Sequence, residues 1–202
     1  IPKDEESKKI WLSLGIPKER ITFLEGGVFE SKDNWWGPAG NMGPCGPSTE
    51  MFYWKNNKKK APKIFDPKND NWVEIGNDVL MQYDKDKKGN YNSAPQKNID
   101  FGGGLERTLA VLNNFDDNYL TELWQPIIKE IEKISHKNYT SNEKAMRIIA
   151  DHIKASVFLI SDGTSPSNIG QGYVLRRLIR RAIRYGKILH IEINFTSKIA
   201  EK

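Results

Sequence analysis

The sequence predicts an α+β fold, in which a partial antiparallel sheet with helices is followed by an all-helical domain. In the first half, short segments rich in β-branched and aromatic residues alternate with polar turns, which is typical of strands. In the second half, apolar residues recur every three or four positions, as on the buried face of a helix. We predict domains at 1–115 and 116–202 in this chain of 202 residues.

The first half opens with a predicted helix at residues 4–14 and a predicted short strand at 21–24. Residues 34–47 are so dense in glycine and proline that we predict a shaped loop there instead of regular structure. Beyond this loop the pattern predicts strands at 50–54, 72–75 and 79–83.

A hairpin is predicted at the end of the first half, where Gly89 and Asn90 form a turn signal. The strand after this turn is predicted to end at Asp100, before three glycines and a helix that begins near Leu105. We therefore expect the sheet to deliver Asp100 and the glycines to the start of a helix.

Three helices are predicted in the second half, at 118–135, 142–160 and 173–189. In the last of them Leu175 and Ala182 share one side of a helical wheel drawn at about 100° per residue. The opposite side collects arginines with no carboxylate among them: Arg177, Arg180, Arg181 and Arg184. One face is thus predicted to pack, and the other to present positive charge.

Composition excludes several classes of protein and site. Hydrophobic residues make up 38% and charged residues 28%, as in ordinary globular proteins. No stretch approaches the roughly 20 apolar residues of a membrane span, so we expect no membrane partner and a cytoplasmic protein. Cys45 is the single cysteine and the three histidines lie far apart, which excludes an internal disulfide and a cysteine zinc site.

Charge is distributed unevenly along the chain, although the net charge is only +5. Residues 139–190 contain nine lysines and arginines against three acidic residues, whereas the remainder of the chain is slightly acidic. This asymmetry indicates an anionic partner for the second half, and a solvated helix face is the alternative.

The segment NIDFGGGLER, residues 98–107, carries the chemistry that suggests a phosphate ligand. Glycines let a backbone approach a ligand closely, and a helix start offers free N–H groups to phosphate. Arg107 adds a planar charged group suited to phosphate oxygens. Taken alone, however, the spacing of the segment favours an ordinary glycine turn followed by a solvated arginine.

This segment resembles motif 3 of the class II aminoacyl-tRNA synthetases, in the form found in the alanyl-tRNA synthetase family. Three other segments agree, in the same order: NWWGPAGNMGPCGPSTEMFY at 34–53, EIGNDVLMQY at 74–83, and residues 147–186, which are similar to the first helices of the family's tRNA-recognition region. The resemblance implies the second part of a class II catalytic domain, followed by the start of a tRNA-binding domain.

The resemblance also implies roles for individual residues. Trp36, Val79 and Asp100 match positions that bind the amino acid, with Asp100 holding its ammonium group. Positions that bind ATP are matched by Ile75, Gly76, Asn77, Gly102, Gly104 and Arg107. Arg107 is in addition the catalytic candidate, because it would hold the terminal phosphate. Mg²⁺ would accompany ATP, but the sequence assigns no residue to the metal.

Each of these residues also has an ordinary structural interpretation. Trp36 and Val79 would, without the resemblance, be taken as core residues. Asp100 could be the N-cap of the helix that follows. Cys45 is expected to pack, since no histidine is placed to activate its thiol.

The family's tRNA contacts correspond to Asn168, which matches an asparagine linked to reading a G·U pair of the acceptor stem, and to the arginine face. Arg177, Arg180, Arg181 and Arg184 could lie along a phosphate backbone. A short amide at a loop tip can reach the shallow minor groove of an RNA helix. By itself, the segment around Asn168 would be taken as an ordinary turn.

The sequence departs from the family pattern at several positions. Gly76 replaces a frequent tryptophan, and Phe101 and Gly103 replace the threonine and methionine of NIDTGMGLER. Ser48 stands where the family loop often has a second cysteine. We interpret these changes as divergence and not as loss of the site, since Trp36, Asn77, Asp100 and Arg107 remain.

The resemblance places motifs 1 and 2 and the editing domain outside this chain, so we expect the chain alone to be inactive. The partners implied are alanine, ATP, the acceptor stem of tRNA(Ala) and the remaining parts of the same polypeptide. Two alternatives stay open: a stand-alone acceptor-stem-binding module without catalysis, or a synthetase-like paralogue acting on another small substrate.

Overall fold

The computed structural model describes residues 5–24, 34–55, 58–192 and 194–202. The chain divides into two compact units, Ile1–Asp116 and Asp117–Lys202. Within the described residues, the first unit combines an antiparallel sheet with helices and the second is helical. The predicted α+β class is therefore confirmed.

The sheet of the first unit contains four strands in the order of the sequence, and each strand is antiparallel to the next. Its elements are α1 (Glu5–Ser13), β1 (Trp35–Trp36), β2 (Gly43–Trp54), β3 (Trp72–Lys85), β4 (Tyr91–Gly103) and α2 (Leu105–Leu112). The predicted helices at 4–14 and after Leu105 are confirmed as α1 and α2.

The prediction of a strand at residues 21–24 is wrong, because these residues form no ladder with another described strand. The side-chain amide of Asn34 donates a hydrogen bond to the carbonyl of Leu24. A side chain therefore satisfies this carbonyl, and no neighbouring strand is needed.

The prediction of a loop throughout 34–47 is also wrong, since β1 and the first part of β2 lie within it. The register between β2 and β3 shifts between Cys45 and Ser48, at a bulge where glycine and proline are tolerated. A Cβ atom at Gly46 would overlap the backbone carbonyl of Leu80 in β3. Glycine is thus required for the close approach of the two strands.

The predicted hairpin at Gly89 and Asn90 is confirmed by the turn that joins β3 to β4. The carboxylate of Asp86 accepts hydrogen bonds from the backbone N–H groups of Lys88 and Asn90, at 2.8 and 2.9 Å. Gly89 has a φ of 87°, which favours glycine.

Asp100 does not end a strand, contrary to the prediction. β4 continues to Gly103, because Gly102 and Gly103 remain paired with Asn77 and Gly76 of β3. The N-cap of α2 is Gly104, so the interpretation of Asp100 as a helix cap is excluded.

The second unit contains α3 (Gln125–Ser135), α4 (Glu143–Ser161), α5 (Gly170–Ile188) and α6 (Thr196–Ala200). The three predicted helices are present, but the first begins later, after a 3₁₀ turn at Asn118–Leu120. Helix α6 was not predicted from the sequence. The largest fully buried side chains of this unit include Ile128, Ile131, Met146, Ile149, Leu175, Leu189 and Ile199.

A polar network ties the first residue of the second unit to α4. One oxygen of Asp117 accepts hydrogen bonds from Arg147 Nη2 at 2.7 Å and from the hydroxyl of Tyr139 at 2.5 Å. Arg147 Nε in turn donates to the Tyr139 hydroxyl at 2.7 Å. Burial and the hydrogen bond to Asp117 raise the pKa of Tyr139, so its hydroxyl remains a donor at neutral pH.

None of the helices in the described ranges is both long and apolar enough to cross a membrane.

Candidate functional site

Two of the residues predicted to bind the amino acid lie opposite each other in the sheet. Val79 of β3 pairs with Asp100 of β4, and on its other side with Ser48 of β2. Residues directly opposite each other project from the same face of a sheet. Val79 is only 4% exposed, whereas Asp100 is exposed. An apolar side chain and a carboxylate thus meet on one face.

Two further predicted residues lie on this same face, two positions along each strand. Asn77 pairs with Gly102, and a Cβ atom at Gly102 would meet nothing within 4 Å. The side-chain carbonyl oxygen of Asn77 is buried and has no hydrogen-bond partner among the described residues. Buried polar atoms usually have a hydrogen-bond partner, so this acceptor is an exception within the described residues.

The pairing of β3 with β4 ends just before α2, and the other predicted ATP-binding residues lie there. Gly76 pairs with Gly103, and the backbone N–H of Gly104 donates a hydrogen bond to the carbonyl of Ile75 at 3.0 Å. The structure therefore brings Ile75, Gly76, Asn77, Gly102 and Gly104 together on adjoining strands.

Arg107 lies in the first turn of α2 and reaches back to β3. Its Nη1 atom donates to the backbone carbonyl of Glu74 at 3.0 Å and contacts the Glu74 carboxylate at 3.2 Å. Both side chains are partly exposed. The guanidinium is thus held beside the ladder in a position from which an incoming anion could engage it.

Glu74 is a residue whose role in this arrangement the sequence did not reveal. The sequence shows only that Glu74 is an acidic residue next to Ile75. Its pairing with Arg107 depends on how β3 and α2 are placed. An exposed ion pair of this kind contributes little to stability. Its significance is that it orients the guanidinium.

Trp36 lies in β1, opposite Gly46 of β2, and its side chain is 38% exposed. Since β2 lies between β1 and β3, Trp36 is two strands away from Val79. The neighbouring Trp35 packs against the rings of Tyr83 and Tyr91, with centroids 5.8 and 5.5 Å apart. Trp35 therefore supports the sheet, and Trp36 has the more accessible ring.

The second candidate surface is the arginine face of α5, in the other unit. Leu175 and Ala182 are completely buried, as the helical wheel predicts. The arginines on the other side are all exposed: Arg176, Arg177, Arg180, Arg181 and Arg184. No acidic residue occurs in α5 to offset them, so this face presents concentrated positive charge.

Two of these arginines lie against aromatic rings of the same helix. The Arg177 guanidinium is 5.7 Å from the ring centroid of Tyr173, and that of Arg181 is 6.0 Å from Tyr185. Cation–π contacts of this length favour a defined orientation while leaving the N–H groups accessible.

Asn168 lies in the loop before α5, and its side chain contacts that helix. Arg176 Nη1 donates a hydrogen bond to the Asn168 side-chain carbonyl. The amide NH₂ of Asn168 therefore remains as the donor group. This contact of Arg176 could not be predicted from the sequence, because helical periodicity carries no sign of a hydrogen bond to a loop residue eight positions earlier.

A comparison with known proteins bears on both surfaces. A family model described as tRNA synthetases class II (A) matches residues 1–202, which is the whole chain. The chain belongs to this class II synthetase family. The resemblance identified from the four motifs is thereby confirmed.

The relatives compared are all alanine–tRNA ligases. The chain is 48% identical to the alanine–tRNA ligase of Borrelia hermsii (strain HS1 / DAH), over 95% of the chain and 32% of that protein. It is 49% identical to the alanine–tRNA ligase of Treponema denticola, over 97% of the chain and 33% of the relative. For the alanine–tRNA ligase of Exiguobacterium sibiricum, the identity is 43%, over 99% of the chain and 23% of the relative.

The chain thus spans about a third, or less, of the length of these class II synthetases. Within the ranges that the structure describes, no group of three or more His, Cys, Asp or Glu side chains is arranged to hold a metal ion. The class II synthetase family uses ATP with Mg²⁺.

Proposed function

We propose that the natural protein containing this chain is an alanine–tRNA ligase. In the first step the carboxylate of alanine attacks the α-phosphorus of ATP, which forms alanyl-adenylate and releases pyrophosphate. In the second step a terminal ribose hydroxyl of tRNA(Ala) displaces AMP. Because the chain spans a third of its relatives, this activity belongs to the longer polypeptide.

The observation that carries the proposal is the register of β3 and β4, which aligns Val79 with Asp100 and Asn77 with Gly102 on one face. The identity to alanine–tRNA ligases along almost the entire chain supports the same assignment.

In this site Asp100 binds the ammonium group of alanine and Val79 limits the space for its side chain. A carboxylate that pairs with a fixed cation forms a strong, oriented hydrogen bond. Trp36 contributes a wall of the pocket from β1. Small side chains are discriminated weakly by pocket size, so the selection of alanine needs more than this face.

ATP occupies the ladder at Ile75, Gly76, Asn77, Gly102 and Gly104. Arg107 binds the terminal phosphate, for which it exchanges its present partner, the Glu74 carboxylate. Charge stabilisation and positioning account for most of the catalysis in a displacement at phosphorus. Part of the charge on the nucleotide would be neutralised by Mg²⁺ bound to its phosphates, and no residue of the chain is assigned to the metal.

The second unit binds the acceptor stem of tRNA(Ala). Arg177, Arg180, Arg181 and Arg184 contact phosphates, and Asn168 presents its amide donor to the minor groove. A cytoplasmic location agrees with this role in protein synthesis.

The test is alanine-dependent exchange of pyrophosphate into ATP, measured on the longest natural polypeptide that contains the chain. We expect exchange with alanine, and a fall of at least about 30-fold in kcat/KM for alanine in Asp100→Asn, because truncating one partner of a charge pair costs about 2 kcal/mol or more. Asp70→Asn, at an exposed loop position, is the matched control and should leave exchange unchanged.

Other outcomes would identify the alternatives. Exchange with a different small amino acid, and none with alanine, would indicate a synthetase-like paralogue. Binding of acceptor-stem RNA without any exchange would indicate a non-catalytic RNA-binding protein, and either result overturns the proposal.

A further inference from the structure

Three departures from the family pattern meet at one place in the sheet. Gly76 and Gly103 are directly opposite each other in the β3–β4 register. Phe101 lies two residues before Gly103, so its side chain projects from the same face as these two glycines. Changes separated by up to 27 positions in the sequence are therefore neighbours in the fold.

The ring of Phe101 fills the space that side chains at the two glycines would need. A Cβ atom at Gly76 would lie 2.9 Å from Cε2 of Phe101, and one at Gly103 would lie 3.1 Å from Cε1. Met51 of β2 closes the other side, with its Cε atom 2.8 Å from the same Gly76 position. The ring thus bridges both strands, with one edge over each glycine.

On the opposite face of the same strands, the position at Gly102 is open. Asn77 and Gly102, the adjacent pair in the ladder, project the other way, and a Cβ atom at Gly102 would meet nothing within 4 Å. Glycine in a strand interior weakens the ladder, because the backbone is less restrained and no side chain packs there. An aromatic ring laid over glycine from a neighbouring strand compensates for this loss.

We propose that Phe101 is a positioning residue for the nucleotide site. Its ring takes the place of the side chains absent at Gly76 and Gly103, and so holds the backbone at 75–77 and 102–104 at the spacing that ATP requires. This inference rests on the proposed function. It explains why the two glycines and the phenylalanine occur together in one sequence.

The test is a double-mutant cycle at positions 101 and 76 in the longest natural polypeptide. Phe101→Thr alone uncovers the glycines and should raise the KM for ATP more than the KM for alanine. Gly76→Trp alone places a large side chain against Phe101 and should also impair exchange. The double variant, in which the new ring replaces the old one, should recover activity, with a coupling of about 3-fold or more in kcat/KM for ATP.

Ile99→Thr is the matched control. Ile99 lies on the same strand and face as Phe101, is similarly exposed at 70% against 61%, and is also adjacent to Asp100. It pairs with Leu80 and not with a glycine, so its replacement should leave the KM for ATP unchanged.

Amide hydrogen exchange gives a readout that does not require activity. The backbone amide of Gly104 donates a hydrogen bond to the carbonyl of Ile75. In Phe101→Thr this amide should exchange faster than in the Ile99→Thr control. Additive effects in the cycle, or an unchanged KM for ATP in an active Phe101→Thr enzyme, would overturn this inference alone. Absence of alanine-dependent exchange in the unsubstituted protein would instead overturn the proposed function.

Discussion

Asp78 is an acidic residue of β3 whose ionisation the fold opposes. Its partners in the register are Thr49 and Phe101, and loss of solvation raises its pKa above the ordinary value of 3.8. The folded protein then binds more protons than the unfolded chain between these two pKa values. Stability is therefore lost as the pH rises through this interval, and the cost persists at neutral pH.

We expect Asp78→Asn to unfold at a higher temperature than the parent protein at pH 7. The difference should narrow as the pH falls towards and below the ordinary value of 3.8, because the carboxyl group then becomes protonated in both states. Thermal unfolding followed across this pH range is the measurement. Asp70→Asn removes the same charge from an exposed loop, and an equal gain in that variant would show that burial of Asp78 is not the cause.

Single residues of the site were predictable from the sequence to the extent that their chemistry is local. The strand–glycine–helix pattern singles out the glycines and Arg107, but their phosphate role is implied by the resemblance to motif 3 and stays a prediction. The packing of the Phe101 ring over Gly76 could not be predicted from the sequence. It depends on the register between β3 and β4, which local sequence patterns do not determine. Likewise, the hydrogen bond from Arg176 to Asn168 depends on how the loop before α5 folds back against that helix.

At the level of elements, Arg147 joins three parts of the second unit. It donates to Asp117, Tyr139 and Glu143, and its guanidinium lies 5.7 Å from the ring centroids of Tyr119 and Tyr139. Lysine keeps the charge but lacks the planar fork that makes these bonds simultaneously.

We expect Arg147→Lys to lower the free energy of unfolding by about 1–3 kcal/mol, the usual range for a lost hydrogen bond that involves a charged group. Chemical denaturation measured by circular dichroism gives this value. Arg184→Lys makes the same replacement at an exposed position of α5 and should change stability by less than about 0.5 kcal/mol. Equal effects in the two variants would contradict a structural role for the Arg147 network.

The prediction of elements failed where tertiary contacts override local preference. Glycine and proline at 43–47 predict a loop, yet β2 passes through them because Gly46 lets β2 approach the backbone of Leu80. Helix α6 is short, and only Phe195 and Ile199 anchor it in the core. Two apolar positions are too few to produce a recognisable period.

At the scale of the whole molecule, the two units differ in how their positively charged side chains are arranged. The first unit offers one arginine beside a glycine ladder, which suits a single small anion. The second presents a row of arginines along α5, with a spacing that follows the helix. A row of fixed cations suits a polyanion, whose affinity falls with salt as bound counterions are released.

This difference predicts how RNA binding should respond to salt. The logarithm of the association constant for an acceptor-stem hairpin should fall linearly with the logarithm of the salt concentration. Replacing Arg180 and Arg184 by glutamine should reduce the slope by about one unit for each phosphate contact that is lost. Fluorescence anisotropy at several salt concentrations, on the longest natural polypeptide, measures this slope.

Lys198→Gln is the control for that measurement, because Lys198 is exposed in the same unit but belongs to α6. Loss of this charge should leave the slope unchanged if the RNA lies along α5. A slope that changes equally per charge removed, in the arginine replacement and in Lys198→Gln, would show that the arginine face is only a solvated surface. Since the guanidinium groups are concentrated on one side of a single helix, we expect the response to depend on position.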